Sequence, residues 1–504
     1  MRMLATRRWD GSLLLKIALA AGVVALGDTV FWRWEQVGGV QGLFGLGLCL
    51  ALLAGRPAVR RDRQALAALA LAVLYALAQV WNLSLLAFVM FWIAIGMATL
   101  LPATARFDDG WRWFQRLWVH GFKSLFGPLI DLNILGRVRR KRPAGPMGMR
   151  RVIPLLALPL TGGILFLALF AEANPVIAEV LNRLALPRFD WDMVPRLLLC
   201  GLIALFAWGV LRPRPPRRLL GMADATGDVM LPGFSLASIT LSLVLFNALF
   251  AAQNLMDLAY LSGAAALPQG ITLADYAHRG AYPLVATALL AALFVVMTSR
   301  PGSSAAASPV VRRLVAGWIA QNVVLVFSAA WRTWDYVAAY SLTELRIAAL
   351  LWMGLVAVGL VLVLLRMLRA KSLGWLINAN LASAGLLLSV VSFVDLGAVS
   401  ANWNLRHAAE IDGDGAALDL CYLQRLGPAA LPALDGLTQR SPAPPLAANI
   451  QWLRSAAQAR LRHDLDHGWW TLAGERRLAA SLAIGRAPHG AQPEVYCDDY
   501  ALRD

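Results

Sequence analysis

Apolar residues in this chain come in long unbroken blocks, not in alternating or one-sided patterns. Blocks of about 20 residues recur, and at 1.5 Å per residue each spans the ~30 Å hydrocarbon layer of a bilayer. Inside that layer every backbone N–H and C=O must be bonded internally, which leaves helices or closed barrels. Continuous apolar runs, as opposed to period-two alternation, select helices. The pattern predicts eleven spans, at about 12–31, 37–54, 64–80, 83–103, 151–171, 194–211, 234–256, 281–298, 314–331, 347–365 and 373–394. The first block follows Arg2, Arg7 and Arg8 in the manner of a signal peptide, but it runs on to about Phe31 and reads as an uncleaved span.

Two stretches break the rhythm. At about 109–126, Trp111, Phe114, Trp118, Phe122 and Leu125 share one helical face, while Arg112, Arg116, His120 and Lys123 group on the other. This composition predicts an amphipathic helix lying in the headgroup plane, within a basic loop at about 104–151. After residue 395 the long blocks stop. Leu418, Tyr422 and Leu426, then Ile450, Leu453, Ala457 and Leu461, recur at helical spacing around the Pro-rich Ser441–Pro445. The expected fold is therefore all-α: a polytopic transmembrane bundle over 1–395 and a small helical extramembrane tail over 396–504.

Composition agrees: 59% of the 504 residues are hydrophobic, 15% are charged and the mean hydropathy is +0.60. The net charge of +16 changes the picture through its placement. Alternate segments between spans hold 28 Lys and Arg, and the intervening ones hold 7. By the positive-inside rule this alternation makes the N-terminus cytoplasmic, and an odd span count puts the tail on the outer side of a bacterial inner membrane. Basic loops beside a membrane attract anionic lipid, at about 1 kcal/mol per cation near the surface. The expected partners are thus the bilayer and anionic lipid, with no nucleic acid. The oligomeric state stays open.

Walker A, complete GxGxxG, GxSxG, HExxH and CxxC motifs are all missing, and no cofactor or metal is expected. The His463–His467 run offers two imidazoles at i, i+4, short of a metal site and in keeping with a solvated face. Ionisable residues near spans fall at the predicted outer ends, and span interiors are nearly free of charge, which weighs against a buried carboxylate relay. Tyr276, His278, Arg279, Tyr282, Arg332, Asp335, Glu344 and Arg346 form a candidate outer-face polar site, since guanidinium forks suit phosphate or carboxylate groups. The plainer alternative is that charges gather at span ends because water begins there. Asn254, Asp257, Asn322, Asn378 and Asn380 are candidate intramembrane polar residues, either glue between helices or the lining of a passage. Cys421 and Cys497 lie in the tail, where an outer location permits a disulfide closing ~75 residues. Gly38, Gly42, Gly45 and Gly47 allow close helix packing.

At YAHRGAYPLVATALLAALFVV, AYSLTELRIAALLWMGLVAVGL and WNLRHA…LDLCYLQRLG the chain resembles the multi-pass membrane proteins of domain of unknown function 4173, related to the group numbered 4153. The likeness covers roughly residues 230–435 and implies the membrane class without an activity. It draws attention to His278, Arg279, Glu344 and Arg346. The expectation is an envelope protein binding a ligand, lipid or partner at its outer face, leaning away from an enzyme. A transporter with polar spans seven, nine and eleven lining its path is one alternative, and an enzyme acting on an outer-leaflet lipid is another.

Overall fold

The computed structural model describes residues 12–104, 107–131, 193–216, 218–221, 235–262, 273–298, 302–411, 415–440 and 444–485, with isolated positions elsewhere and with 273–285 and 444–445 as backbone only. Every regular element among the described residues is helical. The first group comprises Leu13–Gly27 (α1, prolonged by a π-helical turn to Arg33), Val40–Gly55 (α2), Arg63–Trp81 (α3), Leu85–Thr104 (α4), the amphipathic Gly110–Leu125 (α5) and Met193–Leu211 (α6). The second comprises Leu236–Leu261 (α7), Leu273–Thr298 (α8), Pro309–Tyr340 (α9), Glu344–Leu368 (α10) and Leu373–Val391 (α11). Leu396–Arg406 (α12), Leu420–Leu426 (α13), Leu431–Thr438 (α14), Pro444–Asp466 (α15) and Leu472–Ile484 (α16) follow in the tail.

The starts are written in the sequence. Asp62, Asp109, Ser235, Ser308, Thr343, Ser372, Asp395, Asp419 and Thr471 each accept a backbone N–H of the first turn through their side chains. Such a cap stabilises its helix by about 1 kcal/mol. Among the described residues, eight helices (α1 with its extension, α3, α4, α6, α7, α9, α10 and α11) are long and apolar enough to cross a bilayer, while α2 is apolar but shorter. The protein is an integral membrane protein. The span predicted at 151–171 lies almost wholly outside the described residues.

Two apolar cores organise the spans. One joins α1 to α4 with α6 around Leu48, Leu52, Tyr75 and Ile95; the other wraps α7, α8 and α10 about the central α9, with α11 packed on α10. They meet where the Tyr75 hydroxyl bonds Ser389 Oγ at 2.6 Å and its ring stacks on Phe393. The tail helices pack around Leu423, Leu434 and Ile450, and the predicted face of α15 (Ile450, Leu453, Ala457, Leu461) is buried.

The tail seats on one end of the first bundle. Gly468 O accepts from Val37 N at 2.7 Å and Gly38 N at 3.1 Å, Arg477 pairs with Asp395 at 2.6 Å, and Arg476 lies over the Trp81 ring. A Cβ at Gly38 would run into the backbone of Trp469 and Trp470, so this glycine is needed for the close approach. Gly42 and Gly45 pack on Ala76, Val80 and Phe91, and Gly47 on Leu26. All four glycines serve packing within the chain.

At the opposite end, α5 lies against α4, α6 and α11. Its orientation sharpens the sequence reading. The Trp111, Phe114, Trp118 and Phe122 face points away from the protein, and Trp118 is 73% exposed. The other face, carrying Gly110, Trp113, His120 and Ser124, is buried. Its cations are partly matched at home, Arg116 holding Asp108 through two bonds (2.5 and 2.8 Å) and Arg112 pairing with Asp109 at 3.2 Å.

Candidate functional site

The site is built where α9 ends against α12. The connecting turn is held by groups from the tail: Asn404 accepts from Leu342 N at 2.6 Å and donates to Leu342 O at 2.8 Å. The Tyr422 hydroxyl accepts from Glu344 N at 3.0 Å and bonds Ser400 Oγ at 3.0 Å. Burial pushes the Tyr422 phenol above its usual range, so it stays a neutral hydrogen-bonding group. Arg346 donates to Tyr340 O at 2.7 Å and to Ser341 O, and its guanidinium lies 4.2 Å from the Tyr336 ring centre. These contacts hold Ser341 at a φ of 71°, a left-handed conformation that a side chain adopts only under restraint.

The fixed turn brings aromatic rings together. Trp334 from α9 meets Trp403 from α12 edge-on at 5.4 Å, and His407 stacks on Trp403 at 3.9 Å. They border a cavity of about 410 Å³ whose wall also includes Val337, Ser341, Asn404, Arg406 and Ala416. No carboxylate is among the described lining residues. His407 Nδ1 faces Trp403 O at 2.9 Å; a carbonyl only accepts, so Nδ1 carries the hydrogen and Nε2 is left for another partner. Indole faces, one imidazole and one guanidinium suit a molecule with an apolar or ring-shaped body and an anionic group.

A second polar assembly lies inside the second bundle. Asp257 of α7 and Arg332 of α9, 2% and 6% exposed, form an ion pair. The Asp257 carboxylate also accepts from Gln253 Nε2 at 2.9 Å and Ser328 Oγ at 2.8 Å. Further along, Asn254 donates to Gln321 O at 3.1 Å, Gln321 to Asn247 Oδ1 at 3.0 Å, and Asn247 to Leu314 O at 3.1 Å. The contacts advance together on both helices, so α7 and α9 run parallel, as two spans separated by the intervening α8 must.

The structure therefore distributes the predicted residues. Tyr276, His278, Arg279 and Tyr282 fall on the backbone of α8, and their side chains lie outside the described residues. Arg332 turns inward to Asp257, whereas Asp335 bonds the Trp331 indole. The Glu344 backbone and the Arg346 side chain hold the turn beside the cavity. Asn254, Asp257 and Asn322 belong to the second bundle's interior, but Asn378 accepts from Gly110 N at 2.6 Å and so docks α5. Asn380 bonds its own helix at Leu376 O. The amides of α11 thus stand apart from those of α7 and α9. Cys421 is disulfide-bonded, Cys49 and Cys200 are free thiols, and Cys497 lies outside the described residues.

Sequence reasoning missed the cavity residues Trp334, Trp403, Arg406 and His407. The signal was present in WNLRHA, where Trp403 and His407 stand at i, i+4 beside Arg406.

The family model for Domain of unknown function (DUF4153) matches residues 65–437, from α3 through the second bundle and into the tail as far as α14. That match widens the segmental likeness toward the N-terminus and is to the 4153 group. No curated protein and no solved structure matches the chain.

Proposed function

Because the chain belongs to the family of Domain of unknown function (DUF4153), whose description carries no activity, we propose a function from the site itself: a membrane protein that binds an anionic amphipathic ligand between its spans and its tail. The observation that carries this reading is the cavity of about 410 Å³ between Trp334 and Trp403, with Arg406 and His407 on its wall and no carboxylate among the described lining residues. The indoles take the apolar part and the guanidinium takes a phosphate or carboxylate.

The proposed placement puts this cavity on the outer face of a bacterial inner membrane. Supporting it, exposed tryptophans stand at both ends of the bundle: Trp34, Trp81, Trp331 and Trp334 toward the tail, Trp111 and Trp118 at α5. Arg56, Arg60, Arg61, Arg112, Arg212 and Arg214 gather at the α5 end, which the positive-inside rule makes cytoplasmic. There the outward aromatic face of α5 enters the leaflet, and the basic loops meet anionic lipid. The proposed partner of Cys421 is Cys497, which an outer tail permits.

The test is binding of a short-chain phosphatidic acid to the purified full-length protein in nanodiscs, followed by tryptophan fluorescence and native mass spectrometry. Saturable binding that Arg406→Ala weakens about tenfold, the value of one charge-assisted hydrogen bond, supports the reading. Trp403→Ala is expected to reduce the fluorescence change as well as affinity. Binding that both variants leave unaltered, or none in the parent protein, sinks it.

A further inference from the structure

One stripe of α9 is left open along its tail-side half. Val324, Phe327, Trp331, Trp334 and Ala338 follow one another at steps of three and four, which at about 100° per residue keeps them within an arc of about 80°. All five are exposed, the four large ones between 48% and 62%. The opposite arc, carrying Leu325, Ser328, Ala329 and Arg332, is buried. An apolar stripe left open on a membrane span faces lipid, and here it carries neighbouring rings, Phe327 lying edge-on to Trp331 at 5.9 Å.

This stripe does not stop short of the aromatic cavity; it becomes part of its wall. Trp334 and Ala338 belong to the stripe and also line the cavity, beside Val337 and Ser341. The end of α12 supplies Arg406 and His407, both exposed and both beyond the last apolar block of the sequence. Half-exposed tryptophans at the end of a span, as Trp331 and Trp334 are, sit at the level of the lipid headgroups. The cavity thus lies at the depth of lipid phosphates, with its cationic residues on the tail and an apolar track leading away along α9. From Trp334 back to Phe327 is seven residues, about 10 Å of helical rise. A water-borne anion would use the guanidinium but not the track.

We propose that the cavity takes its ligand sideways from the leaflet on the tail side: a diacyl lipid with a terminal phosphate. The phosphate lies on Arg406 with His407 beside it, the glycerol region between Trp334 and Trp403, and one acyl chain along Trp331 and Phe327. This inference rests on the reading of the cavity as an anion-binding site, and adds to it the source of the ligand and the residues that hold its chain.

The experiment is photo-cross-linking of the full chain in phosphatidylcholine nanodiscs, with p-benzoylphenylalanine replacing Phe327 or, as a control, Leu245, an exposed apolar residue of α7. Both positions are exposed, so the larger ring meets lipid and not a packed core. The probes are long-chain phosphatidic acid and a diacylglycerol with the same labelled chains. At position 327 phosphatidic acid is expected to label about tenfold more than diacylglycerol, the value of one charge-assisted hydrogen bond, and Arg406→Ala is expected to bring the two level. At position 245 both lipids are expected to label alike. Equal labelling at 327, or a preference there that position 245 shares or that survives Arg406→Ala, would mean ordinary surrounding lipid and overturn lateral entry. Short-chain phosphatidic acid separates that failure from failure of the cavity reading. If it binds through Arg406 while position 327 labels both lipids alike, the cavity takes a water-borne anion and lateral entry alone is lost. If it does not bind either, both readings fall.

Discussion

Removing one member of the Asp257–Arg332 pair is expected to be far more damaging than removing both. The carboxylate is 2% exposed and takes hydrogen bonds from Gln253 at 2.9 Å and Ser328 at 2.8 Å, while the guanidinium is 6% exposed on the neighbouring helix. Arg332→Leu leaves the buried carboxylate with two neutral donors and no countercharge. Breaking a buried pair in this way costs about 3–5 kcal/mol, whereas replacing both partners with apolar groups of similar volume is often neutral. The double variant Asp257→Leu/Arg332→Leu is therefore expected within about 2 kcal/mol of the parent, with Gln253 and Ser328 left to bond elsewhere in their helices. The measurement is unfolding in mixed micelles, followed by tryptophan fluorescence, for the parent, both single variants and the double. The cycle isolates a coupling of at least ~2 kcal/mol if the pair is as buried as the geometry shows. Single losses that simply add in the double variant would refute the reasoning, because additivity means that each side chain is stabilised without the other.

Two further outcomes concern the ends of the molecule. His120, 7% exposed on the inner face of α5, is pushed down from its ordinary 6.5 to about 4, first by burial and then by the nearby Arg56 charge. An undocked α5 would let the imidazole protonate near 6.5, so protonation favours undocking. The stability this side chain contributes is complete above pH 6.5 and is lost as pH falls toward 4, by roughly 3 kcal/mol in all. Hydrogen exchange of α5, corrected for the intrinsic pH dependence of amide exchange, should rise from pH 7 to 5 in the parent and stay flat in His120→Gln. At the tail, Cys497→Ser is expected to free the Cys421 thiol for a membrane-impermeant maleimide added to intact cells after mild denaturation. Labelling only after cell lysis would place the tail on the other side, and labelling equal to that of the parent would break the proposed pairing.

Most of the fold was legible because a bilayer imposes one requirement on every residue of a span. Where that requirement governs, in α3, α4, α7, α9 and α10, predicted and observed helices share their apolar blocks, and the cap residues Asp62, Ser235, Ser308 and Thr343 mark the starts. The ends were less legible. Helix α9 runs on past the predicted 331 to Tyr340, where Trp334 meets Trp403 of the tail and the Asn404–Leu342 clamp holds the turn that follows. For α5 the two faces were readable, but not which one meets the protein. An aromatic face pairs as well with a leaflet as with a core, and only the small and polar set Gly110, His120 and Ser124 fitting against Asn378 and Gly209 decides it.

The site was less legible than the fold because proximity in sequence and proximity at a span end mean different things. Arg332 and Asp335 are three residues apart, and both sit near a predicted outer boundary. Three residues on a helix is a net turn of only about 60°, with a rise of about 4.5 Å, so spacing alone makes them neighbours. Their partners separate them: Arg332 pairs with Asp257, 75 positions earlier in the chain, while Asp335 bonds Trp331 on its own helix. Reading the charges as one outer cluster left out those partners. Trp334 and Trp403 went unnoticed for a like reason: each alone is an ordinary interfacial tryptophan, and the Asn404–Leu342 clamp brings one ring edge-on to the other. A site assembled by a turn between a span and a tail is specified by that clamp, so Asn404, which touches the cavity wall and fixes its shape, is as much a part of it as the rings.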